Sequence, residues 1–375
     1  MTSKLRVMTV VGTRPEIVRL SQLIKLIDEH AEHLVVHTGQ NSTESLSDVF
    51  FRDLALRDPD VFVKSDSSTF AAFCATTFPS IEKEISRFRP EAFIVLGDTN
   101  SALTSIVAKK HGVPVYHCEA GNRSFDSNVP EEFNRRLVDQ VSDFNIVYSE
   151  FARQNLLHEG YSQRFVFKSG SPMAEVIAAN REEIAASSVL EKLNLESRSY
   201  LLVSLHRQEN IDHPRRLTTA LESLDAAKSH FDKRIVLSAH PRLVDKAGSL
   251  LSSFEEWNVA EPFGFVDYMK LQSSAFCVIS DSGSISEEAA ALGFPAVTLR
   301  DSMERQEALE MGILPMAGLE SGQLLTAVEF AVGLPPRQSP ADYRDCQFAL
   351  RVWNLILSTA RLATQWTGKR SFENS

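Results

Sequence analysis

Residues 5–27 read LRVMTVVGTRPEIVRLSQLIKLI, and a change of period inside this stretch decides the fold. Val7–Val11 is a short apolar run of the kind that forms a core strand. The polar cluster Gly12–Glu16 interrupts it. Beyond the cluster, Ile17, Leu20, Ile24 and Ile27 stand three and four apart, which is one stripe of a helix.

The same unit recurs along the chain. Apolar runs ending in polar or glycine clusters follow as LVVHTGQN, AFIVLGDTNS, VPVYHCEAGN, FNIVYSE and RFVFKSGSP, then as YLLVSLHRQEN, RIVLSAHPR, FCVISDSGS and FPAVTLRD. Strands alternating with helices indicate an α/β protein whose parallel sheets are covered on both faces. The rhythm breaks at KSGSPMAEV (168–176), so two Rossmann-like domains are expected, at 1–169 and 170–355. The amphipathic segment RVWNLILSTARLATQW leads into a terminal piece, 356–375, expected to pack back on the first domain. In open parallel sheets ligands bind at the carboxyl ends of strands. Every polar cluster above sits there, and with two such domains the expected site is the cleft between them.

Composition narrows the partners. A chain of 375 residues with 43% hydrophobic and 23% charged content is too long for one ordinary core and too apolar for disorder. A net charge of -10 argues against nucleic acid but leaves room for a small anion met by a local arginine cluster. No apolar run approaches the roughly 18 residues of a membrane span, so no membrane is expected as a partner. Cys74, Cys118, Cys277 and Cys346 are scattered without a CxxC pairing, as suits a reduced cytoplasm. GxGxxG and HExxH are both absent, so neither a nicotinamide cofactor nor a metal is expected.

Each cluster has a plain reading beside the chemical one. In GTRPE, Pro15 suits the first helical position and Glu16 the positive helix end, but that reading leaves Arg14 unexplained: a cation is disfavoured at that end, and its presence there suggests an anionic ligand. Asp98 in GDTNS could be a simple helix cap. In SDSGSISEE, Ser284 and Glu287 have capping-box spacing and Gly293 ends the helix. The same turn, with Ser282 and Gly283, offers free N–H groups to a phosphate, and Glu287 or Glu288 lies one turn on, within reach of a ribose hydroxyl. His206 in HRQEN and His240 in SAHPR stand at strand ends, where a satisfied structural histidine is as good an account as a catalyst. In PEEFNRR, Glu131–Arg135 and Glu132–Arg136 are favourable i,i+4 pairs, and Phe133, Leu137 and Val141 would form the buried stripe. Against that, neighbouring loops would bring Asp98, Glu119 and Glu131 together. Like charges placed together raise one another's pKa, and paired carboxylates of that kind suit acid–base work.

Taken in order, GTRPE, GDT, EAGNR, PEEFNRR, GSP, HRQEN, DSGSISEEA and ERQEA resemble the non-hydrolysing UDP-N-acetylglucosamine 2-epimerase family over nearly the whole chain. The resemblance implies the GT-B architecture, a homodimer and no cofactor. It implies inversion of C2 of a UDP-N-acetylhexosamine by elimination and re-addition of UDP. By motif match Asp98, Glu119, Glu131 and His206 take the catalytic places, with base and acid unassigned. Arg14, Gln40, Arg123, Arg135, His240, Phe265, Ser282, Gly283 and Glu288 take the places that bind the UDP-sugar.

The chain departs from the family pattern at Gln40-Asn41, where many members have Gln-His, and at Gln306, where many have proline. The loop between EAGNR and PEE is also shorter. HTGQN, EAGNRSFD and FFRDL are similar to a sub-branch that makes UDP-N-acetyl-L-fucosamine from UDP-2-acetamido-2,6-dideoxy-L-talose. A GT-B glycosyltransferase would use the same UDP pocket but has no need of three carboxylates around C2.

Overall fold

The structure, a computed structural model, describes residues 4–40, 50–254, 256–335 and 339–366. Among the described residues seven strands make the first sheet: β1 (Arg6–Val11), β2 (Glu32–His37), β3 (Val61–Phe62), β4 (Ala92–Leu96), β5 (Val115–Cys118), β6 (Phe144–Val147) and β7 (Val166–Lys168). Their order is β3-β2-β1-β4-β5-β6-β7, and each neighbouring pair is parallel. Five more make the second: β8 (Tyr200–Leu205), β9 (Arg234–Ala239), β10 (Trp257–Ala260), β11 (Cys277–Ser280) and β12 (Ala296–Thr298). Their order is β10-β9-β8-β11-β12, again all parallel.

Central strands are buried on both faces, which is why they read as continuous apolar runs and not as alternation. All five residues of β4, AFIVL, are buried. Each sheet reverses its strand order once, between β1 and β4 and between β8 and β11. Such switch points are where open α/β sheets bind ligands, because the connections on either side leave in opposite directions.

Helix α1 (Arg14–His30) covers β1 with the expected stripe of Ile17, Leu20, Ile24 and Ile27. Its buried arc is wider than that stripe and takes in Glu16, Arg19 and Ser21. Part of the cover comes from helix α7 (Phe348–Thr359), whose Trp353 ring stacks at 6.4 Å from His30 of α1.

The chain divides into two compact units, each with its own core. The first comprises Met1–Arg123, Val129–Val176 and Asp345–Ser375; the second comprises Ser124–Asn128 and Ile177–Arg344. The changeover falls inside the helix Met173–Ala179 and not at residue 169. The chain rejoins the first unit at Asp345, ahead of the expected 356, because Phe348, Val352, Trp353 and Ile356 already form a buried stripe. Among the described residues no helix is long and apolar enough to cross a membrane.

Candidate functional site

The turn after β1 is built by capping. Helix α1 begins at Arg14, so Pro15 stands second in it, and Thr13 is the cap. Glu16 reaches back: its carboxylate accepts from the Gly12 and Thr13 N–H groups at 2.8 and 2.7 Å. Arg14 is half-buried over the Phe50 ring, 5.6 Å from its centroid, and makes no ion pair among the described residues. Burial lowers its pKa. A cation desolvated without a counter-charge is poised to receive an anion.

The next two turns come from adjacent strands, since Leu96 of β4 is in register with Cys118 of β5. Asp98 follows β4 and receives the Arg135 guanidinium at 2.5 Å. Glu119 follows β5 and pairs with Arg19 of α1 in a buried contact. Its backbone sits at φ +68°, a left-handed conformation that a glutamate rarely holds and that clusters at functional sites. Asp98 and Glu119 are thus each paired with a guanidinium. Glu131, on helix α3 (Pro130–Val141), is half-buried and has no hydrogen bond or ion pair among the described residues.

Two sequence expectations for this helix are corrected. Arg135 pairs with Glu132 at 2.7 Å and with Asp98, not with Glu131, while Glu132–Arg136 forms as expected at 3.0 Å. Phe133 is 65% exposed, and the buried face consists of Glu132, Asn134, Arg135, Val138 and Asp139. Charged residues turn inward because their partners wait there. Arg123, expected to bind substrate, is wholly buried with its donors committed: to Glu159 at 2.8 and 2.6 Å, to Asp139 at 2.8 Å and to the Asn122 carbonyl at 2.8 Å. It scaffolds the loop. His117 completes this buried set between Asp139, at 2.8 Å, and the Gly97 carbonyl, at 2.9 Å.

Gln40 also works on the protein itself. Its side-chain carbonyl accepts from the Ser101 N–H and hydroxyl at 3.0 and 2.9 Å, fixing the turn that carries Asp98. Asn41 lies outside the described residues.

In the second unit, His206 follows β8 and Ser282–Gly283 follow β11, both at the switch point. Asp281, fully buried, organises them. It accepts from the His206 and Arg207 N–H groups at 3.0 and 3.1 Å and from the Asn210 amide at 3.1 Å, and lies 3.1 Å from His206 Nδ1. Burial would raise its pKa, but the His206 charge and these donors outweigh that and bring it down.

Helix α5 (Ile285–Leu292) then starts without a side-chain cap at Ser284. The expected capping box is absent because Glu287 is drawn into a buried pair with Arg305 at 3.0 Å. Gly283 packs where a Cβ would meet Glu304 Oε1 at 2.5 Å and Arg305 Nη1 at 2.6 Å. Glu288 is buried and accepts from Gln272 at 2.6 Å. His240 is the N-cap of the helix Pro241–Leu251, its Nδ1 accepting from the Arg242 N–H at 3.2 Å. Phe265 is buried and opens the helix Phe265–Ser274. Gln306, in place of a proline, is the first residue of helix α6 (Gln306–Glu310), the position where proline is favoured because its missing N–H has no partner within the helix.

Sequence reasoning missed Arg19 and Asp281. Arg19 sits on the helix stripe's flank, and only its burial beside Glu119 marks it. Asp281 was legible in principle, as a carboxylate at the end of a central strand.

The chain matches the family described as UDP-N-acetylglucosamine 2-epimerase over residues 25–357. The UDP-N-acetylglucosamine 2-epimerase of Methanocaldococcus jannaschii is 34% identical over 340 residues, covering 85% of this chain and 90% of that one. UDP-2,3-diacetamido-2,3-dideoxy-D-glucuronate 2-epimerase of Pseudomonas aeruginosa is 31% identical over 338 residues, covering 88% and 93%. The crystal structure of the Methanocaldococcus jannaschii enzyme in complex with UDP-GlcNAc and UDP superposes with a TM-score of 0.90 at 31% identity, covering 94% of this chain and 100% of that one. With both parallel sheets of a GT-B-like fold in place and the family match spanning nearly its whole length, this chain belongs to the UDP-N-acetylglucosamine 2-epimerase family.

Proposed function

We propose that this protein inverts C2 of a UDP-N-acetylhexosamine, interconverting UDP-N-acetylglucosamine and UDP-N-acetylmannosamine. The observation that carries the reading is the carboxylate set: Asp98 and Glu119 at adjacent strand ends, each beside a guanidinium, and Glu131 without a partner among the described residues. A base takes the C2 proton as the C1–O bond breaks, leaving a 2-acetamidoglycal and UDP. UDP then adds back at C1 while a proton reaches the other face of C2. Two proton-transfer groups on opposite faces are what this scheme requires, each worth on the order of 10²–10⁴-fold, or about 3–5 kcal/mol.

Stabilising the departing diphosphate supplies much of the rest. Its proposed partners are Arg14, His206 and the N–H groups of Ser282 and Gly283 at the start of α5, with Glu288 on the ribose. His240 and Phe265 stay with the nucleotide, and Arg135 with the sugar through Asp98. A cytoplasmic homodimer is the proposed working form. It is supported by the family resemblance and by Cys74, Cys118, Cys277 and Cys346 all being free, and sedimentation velocity tests the dimer.

A second reading keeps the reaction and changes the sugar. The Pseudomonas aeruginosa relative is named for a different UDP-sugar, and HTGQN and EAGNRSFD resemble the 6-deoxy-L-sugar branch. One experiment separates these: incubate the protein in D2O with UDP-N-acetylglucosamine, or with UDP-2-acetamido-2,6-dideoxy-L-talose, and follow C2 by NMR. Deuterium at C2 with the UDP linkage intact identifies the substrate. Free sugar indicates hydrolysis, and no exchange with either sinks the proposal. Asp98→Asn and Glu131→Gln are each expected to keep UDP affinity and lose at least two orders of magnitude in turnover.

A further inference from the structure

Arg14 and Asp98 sit on separate turns, and one buried side chain joins those turns. Glu16 is 1% exposed. One carboxylate oxygen accepts from the Gly12 N–H at 2.8 Å, the Thr13 N–H at 2.7 Å and the Thr13 hydroxyl at 3.0 Å. The other accepts from the hydroxyl of Thr99, the residue after Asp98, at 2.7 Å. Helix capping accounts for the first set of bonds. It does not account for the last, which spans 83 residues of sequence.

We propose that Glu16 is a positioning residue, a clamp that fixes the Asp98 turn against the Arg14 turn through the Thr99 hydroxyl. The inference rests on the function proposed above. The two turns meet closely for other reasons too: a Cβ on Gly12 would stand 2.0 Å from Ser101 Oγ, and Ser101 is bonded to Thr38 at 2.8 Å. The charged groups around Glu16 have other roles. Arg14 and Arg19 lie on its own helix, Arg19 being held by Glu119, and Asp98 on the β4 turn is held by Arg135. His37, at the end of β2, is buried and stacked on Phe62.

The chemistry of the clamp tells variants apart. Three of its donors point at one oxygen, so a proton on Glu16 belongs on the other and donates to Thr99, whose hydroxyl accepts equally well. The clamp therefore survives protonation, and glutamine reproduces the protonated form. Glu16→Gln and Thr99→Ser are expected to stay within about threefold of the natural protein in kcat. Thr99→Val leaves the Arg14 turn intact, so kcat falls tenfold or more while UDP affinity holds. Glu16→Ala loses both.

Amide hydrogen exchange reads the same clamp without substrate: faster exchange in residues 12–13 and 97–101 for Glu16→Ala, and in 97–101 alone for Thr99→Val. Wild-type kcat in folded Thr99→Val, or unchanged exchange in Glu16→Ala, would overturn the clamp. Absence of C2 exchange in the unaltered protein would overturn the function and leave the hydrogen-exchange result to decide the clamp.

Discussion

A carboxyl group sealed from water is held by whatever donors and charges surround it, and Glu16 and Asp281 show how differently that can end. Both are fully buried and both accept several hydrogen bonds. Among the described residues Glu16 has neutral donors only, and burial pushes its pKa from 4.5 up to about 7. Asp281 lies beside the His206 ring, and its pKa goes down. The consequences for stability run in opposite directions. For Asp281, a lowered value means stability present above the unfolded pKa and lost as the pH falls through the folded one. For Glu16, a raised value means stability present below about 4.5 and lost as the pH climbs through about 7. A shift of that size makes the ionised form cost the fold about 2–3 kcal/mol between pH 5 and 8. Glu16→Gln cannot ionise and escapes this loss. Urea unfolding of both proteins at pH 5 and pH 8 is expected to show the substituted protein gaining that amount relative to the natural one. Equal differences at the two pH values would mean that Glu16 is not ionising in that range.

At the scale of elements, the turn after β1 works because Gly12 has no side chain. Adding a Cβ brings it 2.0 Å from Ser101 Oγ and 2.2 Å from Thr38 Oγ1, so neighbouring turns must shift. Overpacking of this kind costs about 1–3 kcal/mol. Gly12→Ala is expected to lower thermal stability by that amount, and adding Ser101→Ala should restore part of it, a coupling that a double-mutant cycle measures. Strict additivity of the two changes would show that the clash is elsewhere. The ten strands that read as apolar runs were legible because their cause is local, whereas β3 and β10 were not among those runs. Of this turn, Pro15 and Glu16 at the helix start were legible, and the close approach of Gly12 was not. Helix α3 was not. Its local pattern puts Phe133 inside, yet Phe133 is exposed while Glu132 and Arg135 are buried. Glu132 is held locally by Arg135 and Arg136, but those arginines are drawn to partners far along the chain: Asp98 is 37 residues from Arg135, and Glu159 is 23 from Arg136. No local window contains such pairs. Arg123 was misread for the same reason, since an arginine in a loop looks like a ligand until Asp139 and Glu159 are seen around it.

Across the whole molecule, the chain leaves its first unit and returns to it at the very end. Helix α7 closes that unit: Phe348, Val352, Trp353 and Ile356 are buried, and Tyr116 of β5 bonds Thr359 at 2.7 Å. The first unit thus depends on residues that follow the second in sequence, so its core is completed only when the whole chain is available. Each unit has its own core, so the two need not melt as one. Trp353→Ala removes a side chain that is only 4% exposed, a change that costs about 3–5 kcal/mol in a well-packed site. Because that cost falls on the first unit alone, hydrogen exchange should quicken in peptides from β1, β4 and β5 while those from β8 and β11 keep their protection. A uniform rise in both sets would show instead that the two cores unfold as a single cooperative body, and that the terminal helix stabilises the molecule as a whole.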